Sequence, residues 1–234
     1  MEKLIKKAFF DYKIDYKEED IEKICKFADF VLAENEKFNL TAITEKRDFV
    51  FKHILDSALG ASLFAPNAKV VDVGSGAGFP GIILKILRPD LDILLVDSLQ
   101  KRVNFLNSVI SMLNLQKISA KHTRVEDLAN NFLTREKFNF ATARAVASLS
   151  TLCEYLLPLV KVGGSMIAYK SAELETEIKS SKYALKILGG TIERVVERQI
   201  TEISSARKIA IIKKTAQTPS AYPRPKNKPK LQPL

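Results

Sequence analysis

The sequence predicts an α/β fold, a mostly parallel seven-stranded sheet closed by an antiparallel C-terminal hairpin and preceded by a helical extension. Three observations carry this reading. From residue 69 onward, short β-branched or apolar runs alternate with amphipathic helical segments, the pattern of βαβ units. A glycine-rich turn, Gly74-Ser-Gly76-Ala-Gly78-Phe-Pro-Gly81, follows the first run and opens a helix. The last two strands are joined by a segment with no good helical pattern, which suits an antiparallel pair rather than a parallel crossover.

Residues 1–65 carry helical periodicity. Leu4, Ile5, Ala8 and Phe9 recur near 3.6 residues, as do Ile21, Ile24, Phe27, Ala28, Val31 and Leu32. Residues 39–44 read as a loop, with Thr44 capping a third helix over about 47–63 that places Val50, Ile54, Ala58 and Ala61 on one face. Residues 69–73 form the first strand. Residues 81–87 are helical and stop at Arg88-Pro89, since proline lacks the N–H a helix needs. Strands follow at 92–96, 117–122 and 138–143, with a helix at 99–113 between the first two. Residues 148–160 form a helix broken at Gly163-Gly164, 165–169 a fifth strand, and 174–188 a helix ended by Gly189-Gly190. Residues 191–198 and 208–213 are the closing strands. The chain thus divides into a helical extension packed on the core (1–65), a sheet domain (66–214) and a tail (215–234).

The tail holds five of the nine prolines, the bases Arg224, Lys226, Lys228 and Lys230, and no acid. Such composition is expected to run extended in solvent. A net charge of +10, from 37 Lys+Arg against 27 Asp+Glu, favours polyanionic partners. Apolar residues at 46 % supply a sizeable core, which excludes wholesale disorder. Apolar runs such as 82–84 and 93–96 fall far short of the roughly 20 residues of a membrane span. Asp11 interrupts the N-terminal apolar stretch before a signal peptide could form, so a cytoplasmic chain without membrane attachment is expected. Cys25 and Cys153 sit at apolar helical positions as reduced core thiols. With two histidines and no Cys-x-x-Cys, no metal is expected, and the chain reads as a monomer.

Chemistry concentrates in the glycine loop. Glycine permits positive φ and close approach of backbone to a ligand, and the loop feeds a helix N-terminus beyond the strand ends. Gly76-Ala-Gly78-Phe-Pro-Gly81 also satisfies the dinucleotide pattern G-x-G-x-x-G, which alone is weak, and a structural turn without ligand is a further alternative. Three features favour S-adenosylmethionine over a nicotinamide. Asp72 ahead of the first glycine suits a cationic sulfonium and ammonium; Phe79-Pro80 stand where a pyrophosphate needs bare backbone; a hairpin replaces further parallel strands.

Asp97 ends the second strand about 20 residues beyond Gly74, where a carboxylate accepts ribose hydroxyls, though it equally caps the next helix. Lys101 and Arg102 stand in that helix's first turn, where the dipole does not favour cations. Val125 can flank an adenine whose edge bonds the backbone of Val125 and Glu126; a plain loop is the competing account. Arg144 ends the fourth strand and points into the crevice, so a ligand or an ion pair is expected. His53 and Asp56 share a helix face, with Asn39 upstream; the alternative to a rim position is a core histidine. Lys170, ending the fifth strand, is either an orienting group or a rim charge. No acid–Pro-Pro–aromatic motif for exocyclic amines is present.

Together, Asn39-Leu-Thr-Ala-Ile43, His53-Ile-Leu-Asp56-Ser57, Asp72 through Gly81, Leu95-Val-Asp97-Ser98 with Lys101-Arg102 and Phe105-Leu106, Arg124-Val-Glu126 and Ala143-Arg144-Ala145 resemble one family. It is ribosomal RNA small subunit methyltransferase G, once called glucose-inhibited division protein B. The resemblance spans about residues 35–214, and Tyr222-Pro-Arg224 with the lysine/proline tail is similar to the basic C-terminus of some members. It implies a Rossmann-like class I methyltransferase and a bacterial enzyme acting on N7 of one guanine in 16S ribosomal RNA, free or in a pre-30S particle. It also implies S-adenosylmethionine contacts from Gly74, Phe79, Val125, Glu126 and Arg144, which Gly76 and Asp97 join on the reading above. Guanine N7 carries a free lone pair, so orienting residues rather than a base are expected: Arg144, Asn39, His53 and Lys170. The chain departs from the family at Val125, at Ser171 and at Lys226, the last two standing where glycine is usual. A related RNA or small-molecule methyltransferase, or an inactive RNA-binding module of the same fold, are the alternatives.

Overall fold

The computed structural model describes residues 1–144, 147–170, 173–203 and 205–234; Ala145 and Ser171 therefore lie outside the described residues. Seven strands form one sheet: β1 Lys69–Val73, β2 Asp92–Asp97, β3 Ile118–His122, β4 Phe138–Arg144, β5 Val160–Lys170, β6 Gly190–Ile200 and β7 Ser205–Lys214. Their order is β3-β2-β1-β4-β5-β7-β6. β1 to β5 pair in parallel, and β7 runs antiparallel between β5 and the edge strand β6. The class read from the sequence is the class observed.

Period-two alternation sorts the strand residues between two cores. Val70, Ile93 and Leu95 face one side, with the N-terminal helices Glu2–Asp11 and Glu18–Phe38 and the helix Gly81–Leu87. Val71, Val73 and Val96 face the other, with helices Leu149–Leu156 and Lys182–Leu188. Ile5, Phe9, Ile24, Phe27 and Val31 are buried in the first core, so the extension shares its apolar interior with the sheet. The strand order reverses between β1 and β4, which opens a crevice at their carboxyl ends.

Several elements depart from expectation. The third helix is Lys46–Phe49, a π-helical turn Val50–Leu55 and Asp56–Ala58. Its cap is Glu45, whose carboxylate accepts from Asp48 N at 2.8 Å, and not Thr44, which is exposed. Gly163-Gly164 lie inside β5 rather than after a helix. The helix has already ended at Leu156, and the β4–β5 register shifts between Phe138 and Phe140. A side chain at Gly164 would come within 2.4 Å of the Asn139 carbonyl, so glycine serves close strand packing there. Val125–Asn130 is a helix to which the sequence reading assigned no element, and the helix over 174–188 is divided at Ser181.

The tail is the largest correction, because it folds back onto the domain. Arg224 donates through Nε and a terminal nitrogen to the fully buried Glu154 at 2.9 and 2.7 Å, and its backbone N donates to the same carboxylate at 2.8 Å. Arg135 donates to the carbonyls of Thr218 and Tyr222, both at 2.8 Å. Thr151 and Ser150 donate to the Pro229 and Leu234 carbonyls at 2.9 and 2.8 Å. Proline removes backbone donors but leaves every carbonyl free to accept. Side chains of the domain take those carbonyls, a contribution that composition does not register. Lys226, Lys228 and Lys230 remain exposed.

Candidate active site

Three cavities line up along the crevice. The first, of about 200 Å³, is walled by Gly74, Asp97, Val125, Glu126, Tyr155 and the tail residue Lys230, among others. The second is bounded by Thr41, His53, Gly74, Gly76, Phe79 and Arg144. The third, of about 280 Å³, is bounded by Lys52, His53, Asp56, Arg144, Lys170 and Arg207. Gly74 belongs to the first two, and His53 and Arg144 to the last two, so the series is continuous.

The loop is built from backbone. Gly74 N and Ser75 N both donate to the Val96 carbonyl, at 2.8 and 3.1 Å, which ties β1 to β2 at the point of departure. Gly74, Gly76 and Gly78 have φ of 72°, 55° and 97°, a region disfavoured for other residues. A side chain at Gly78 would meet Ile82 at 2.8 Å and Phe27 at 3.1 Å, so the N-terminal extension presses directly on the loop. Phe27, Phe49 and His53 all pack on the Phe79 ring, His53 stacked at 4.7 Å between centroids.

Asp72 does not face the cavity. It is completely buried beneath the loop, where Oδ2 accepts from Gly81 N at 3.1 Å, and Oδ1 has no partner among the described residues. Burial pushes its pKa up to about 7. Its acidity therefore supports the loop from inside instead of meeting a cationic ligand, which corrects the expectation for this residue. Asp97 stands at the cavity wall, but it does not cap the next helix, whose N-cap is Leu99 with no side-chain cap bond. One oxygen accepts from Leu99 N at 2.9 Å at the helix start, the other from Gly76 N at 3.0 Å, and the residue walls the first cavity. Arg102 lies 3.6 Å from it, which accounts for a cation in that first turn.

At the far end, side chains from distant elements form one chain of contacts. Thr41 Oγ1 lies 2.7 Å from His53 Nε2, and Arg144 donates to His53 Nδ1 at 2.9 Å. Since Arg144 only donates, Nδ1 accepts and Nε2–H donates to Thr41. Arg144 also donates to the Lys52 carbonyl at 2.9 Å and to Asp56 at 3.0 Å, and stacks over Phe79 with 5.1 Å to the ring centre. Arg207 reaches the same Asp56 at 3.5 Å. Burial first, then the Arg144 and Arg207 charges, lower the His53 pKa to about 3. Burial pushes Asp56 up, opposed by those two guanidiniums.

Most expected site residues thus meet in the crevice. Asn39 is placed differently: it is exposed and closes the helix Glu18–Phe38 in the left-handed conformation, φ 49°. Thr41, two residues on, is the one that reaches His53. Lys170 walls the third cavity but is tethered, donating to the Ala147 carbonyl at 3.0 Å and pairing with Glu177 at 2.6 Å. Sequence reasoning missed Thr41, Lys52, Tyr155, Arg207, Asn227 and Lys230. Thr41 sits inside a quoted motif, whereas Arg207 reads locally as an ordinary strand charge and carries no signal.

The fold and crevice define a class I methyltransferase dependent on S-adenosylmethionine. The fold is shared with the crystal structure of a ribosomal protein L11 methylase from Lactobacillus delbrueckii subsp. bulgaricus. That match has a TM-score of 0.53 at 17 % identity, over 70 % of this chain and 79 % of that one. The family model for rRNA small subunit methyltransferase G matches residues 20–208, and the chain belongs to that family. The ribosomal RNA small subunit methyltransferase G of Acetivibrio thermocellus is 43 % identical over 100 % of this chain and 97 % of its own length. The protein of that name from Bacillus cytotoxicus is 46 % identical over 86 % and 84 %.

Proposed function

We propose that the protein transfers a methyl group from S-adenosylmethionine to N7 of one guanine in 16S ribosomal RNA. The continuity of the crevice carries this reading: a wall of bare backbone and carboxylates runs, through His53 and Arg144, into a cavity lined by Lys52, Lys170 and Arg207. The residues fit the cofactor. Gly74 and Gly76 leave backbone uncovered along the wall, and Asp97 stands beside them. Gly74, Gly76, Phe79, Asp97, Val125, Glu126 and Arg144 would hold it. When bound, S-adenosylmethionine supplies a methyl group on a sulfonium centre.

Guanine N7 presents a lone pair, so no residue must remove a proton. His53 suits that chemistry because its low pKa keeps it neutral and its two nitrogens are engaged. It acts as a fixed stacking and hydrogen-bonding group. Arg144, held by His53 and Asp56, presents one orientation to whatever enters; such positioning supplies up to roughly 7–11 kcal/mol in favourable cases. Asn39 contributes by fixing the turn that delivers Thr41. Lys52, Lys170 and Arg207 supply charge for RNA phosphates. The protein works as a cytoplasmic monomer on free 16S RNA or a pre-30S particle.

The test is transfer from methyl-labelled S-adenosylmethionine to 16S RNA, offered free and as small subunits, with digestion to nucleosides. N7-methylguanosine from a single site is expected. Label on another base, or on none with either substrate, would overturn the reading. RNA binding without cofactor affinity would mark an inactive module. The transfer rate is expected to show no His53 inflection between about pH 5 and 8, where an ordinary histidine titrates.

A further inference from the structure

The outer wall of the first cavity is not made by the sheet domain alone. Asn227 and Lys230 of the tail line it together with Asp97, Val125 and Glu126. Asn227 binds the N-terminal end of the helix that opens at Val125. Its backbone N donates to Glu126 Oε1 at 3.2 Å, and its side-chain oxygen accepts from Arg124. The tail is anchored behind the cavity on helix Leu149–Leu156. Glu154 holds Arg224, Thr151 holds Pro229 and Ser150 holds Leu234, while Tyr155 of the same helix faces the cavity. Anchor and cavity wall are thus neighbours on one helix.

We infer that the C-terminal tail is a built part of the cofactor site, forming the outer wall of its adenosine end through Asn227 and Lys230 and setting affinity for S-adenosylmethionine. The inference rests on reading the cavity of Asp97 and Glu126 as that end. A purine offers ring nitrogens that accept hydrogen bonds, and Lys230 is an ammonium donor at the wall. A tail serving RNA alone would need its cations, not a buried ion pair at Arg224 or a backbone bond to Glu126. Glu126 is itself 4 % exposed, so the bond from Asn227 meets a buried carboxylate and not a solvated surface charge.

The test is calorimetric titration of the full chain with S-adenosylmethionine, without RNA. N227A/K230A removes two exposed side chains of the cavity wall and leaves the Arg224–Glu154 anchor in place. R224A/E154Q releases the tail without leaving a bare buried carboxylate. D97N checks the cavity itself. Loss of one or two wall hydrogen bonds is expected to weaken binding about 3- to 10-fold in N227A/K230A. R224A/E154Q should weaken it at least as much, and bound cofactor should slow proteolysis of the wild-type tail. Affinity within about twofold of wild type in both tail variants, with D97N impaired, would overturn the inference alone. So would tail variants that shift only RNA affinity. Unchanged affinity in D97N would instead remove the adenosine reading. Should R224A/E154Q fail to fold, N227A/K230A decides the question.

Discussion

The glycine loop at residues 74–81 and the tail at residues 215–234 border the same cavity, and both are irregular chain rich in helix-breaking residues. They are held by opposite means. The second half of the loop closes on its neighbours, Gly78 N donating to the Ser75 carbonyl at 2.7 Å and Gly81 N to Asp72 in the strand just before it, while its first half bonds the adjacent strand β2 at Val96 and Asp97. The tail closes on partners far away in sequence, Glu154 lying 70 residues from Arg224 and Arg135 lying 83 from Thr218. Composition therefore predicts a segment's conformation where its own residues supply the partners, and misleads where the rest of the chain does.

The comparison breaks most sharply at Arg224. Arg224→Ala would leave the fully buried Glu154 without its cation. Removing one partner of a buried pair costs about 3–5 kcal/mol, read here by urea denaturation. Adding Glu154→Gln should recover most of that loss, because the uncompensated charge disappears. A cost below about 1 kcal/mol for Arg224→Ala would show that the pair behaves as a surface contact and does not anchor the tail.

A smaller effect tests the loop. Gly81→Ala would bring a methyl group within 2.3 Å of a Leu95 methyl and 2.7 Å of Asp72 Oδ2, inside a packed core. Overpacking of this kind costs about 1–3 kcal/mol, measured as a lower denaturation midpoint. An unchanged midpoint would mean that strand β1 and the helix Gly81–Leu87 can separate, and that the loop is less locally determined than its hydrogen bonds imply.

The same division explains how far the sequence could be read. β1 and the helix Gly81–Leu87 were legible to the residue, because a β-branched run, four glycines and Arg88-Pro89 mark every boundary locally. Arg144 and His53 were legible as crevice residues from their places at a strand end and on a helix face. What they touch was not. The link from Arg144 to Asp56 spans 88 residues, and Arg207 joins it from the last strand, so only tertiary packing brings the three together. Gly163-Gly164 misled for a related reason. Glycine marks a helix end and a close strand approach alike, and the Asn139 carbonyl that decides between them is contributed by β4. Asp72 misled through its charge. A carboxylate beside a glycine loop suggests a cationic ligand, but alternation along β1 turns the side chain toward the helix Gly81–Leu87.

The smallest expected effect sharpens the contrast at the level of backbone dihedrals. In the loop every position of positive φ is a glycine: Gly74, Gly76 and Gly78. In the tail the equivalent positions are Lys226 and Asn227, with φ of 56° and 58°. Both carry a Cβ that crowds the following carbonyl, but the short polar side chain of asparagine offsets this by bonding locally, which lysine cannot do. Two successive left-handed residues make the turn that presents Asn227 to Glu126 and Arg124, so the strain at Lys226 opposes tail docking. Lys226→Gly should relieve it, offset in part by glycine's greater freedom in the unfolded chain, for a net gain of about 0.5–1 kcal/mol. The gain would appear as a higher denaturation midpoint and slower proteolysis of the tail. It would appear equally in Arg224→Ala if the turn forms independently of the anchor, and would vanish there if docking at Glu154 is what forces Lys226 into the left-handed region. The first outcome is expected, since Lys228 N donates to the Pro225 carbonyl across the turn at 3.2 Å and Asn227 is held directly by Glu126 and Arg124. A variant less stable than wild type would show that Lys226 contributes contacts worth more than its strain.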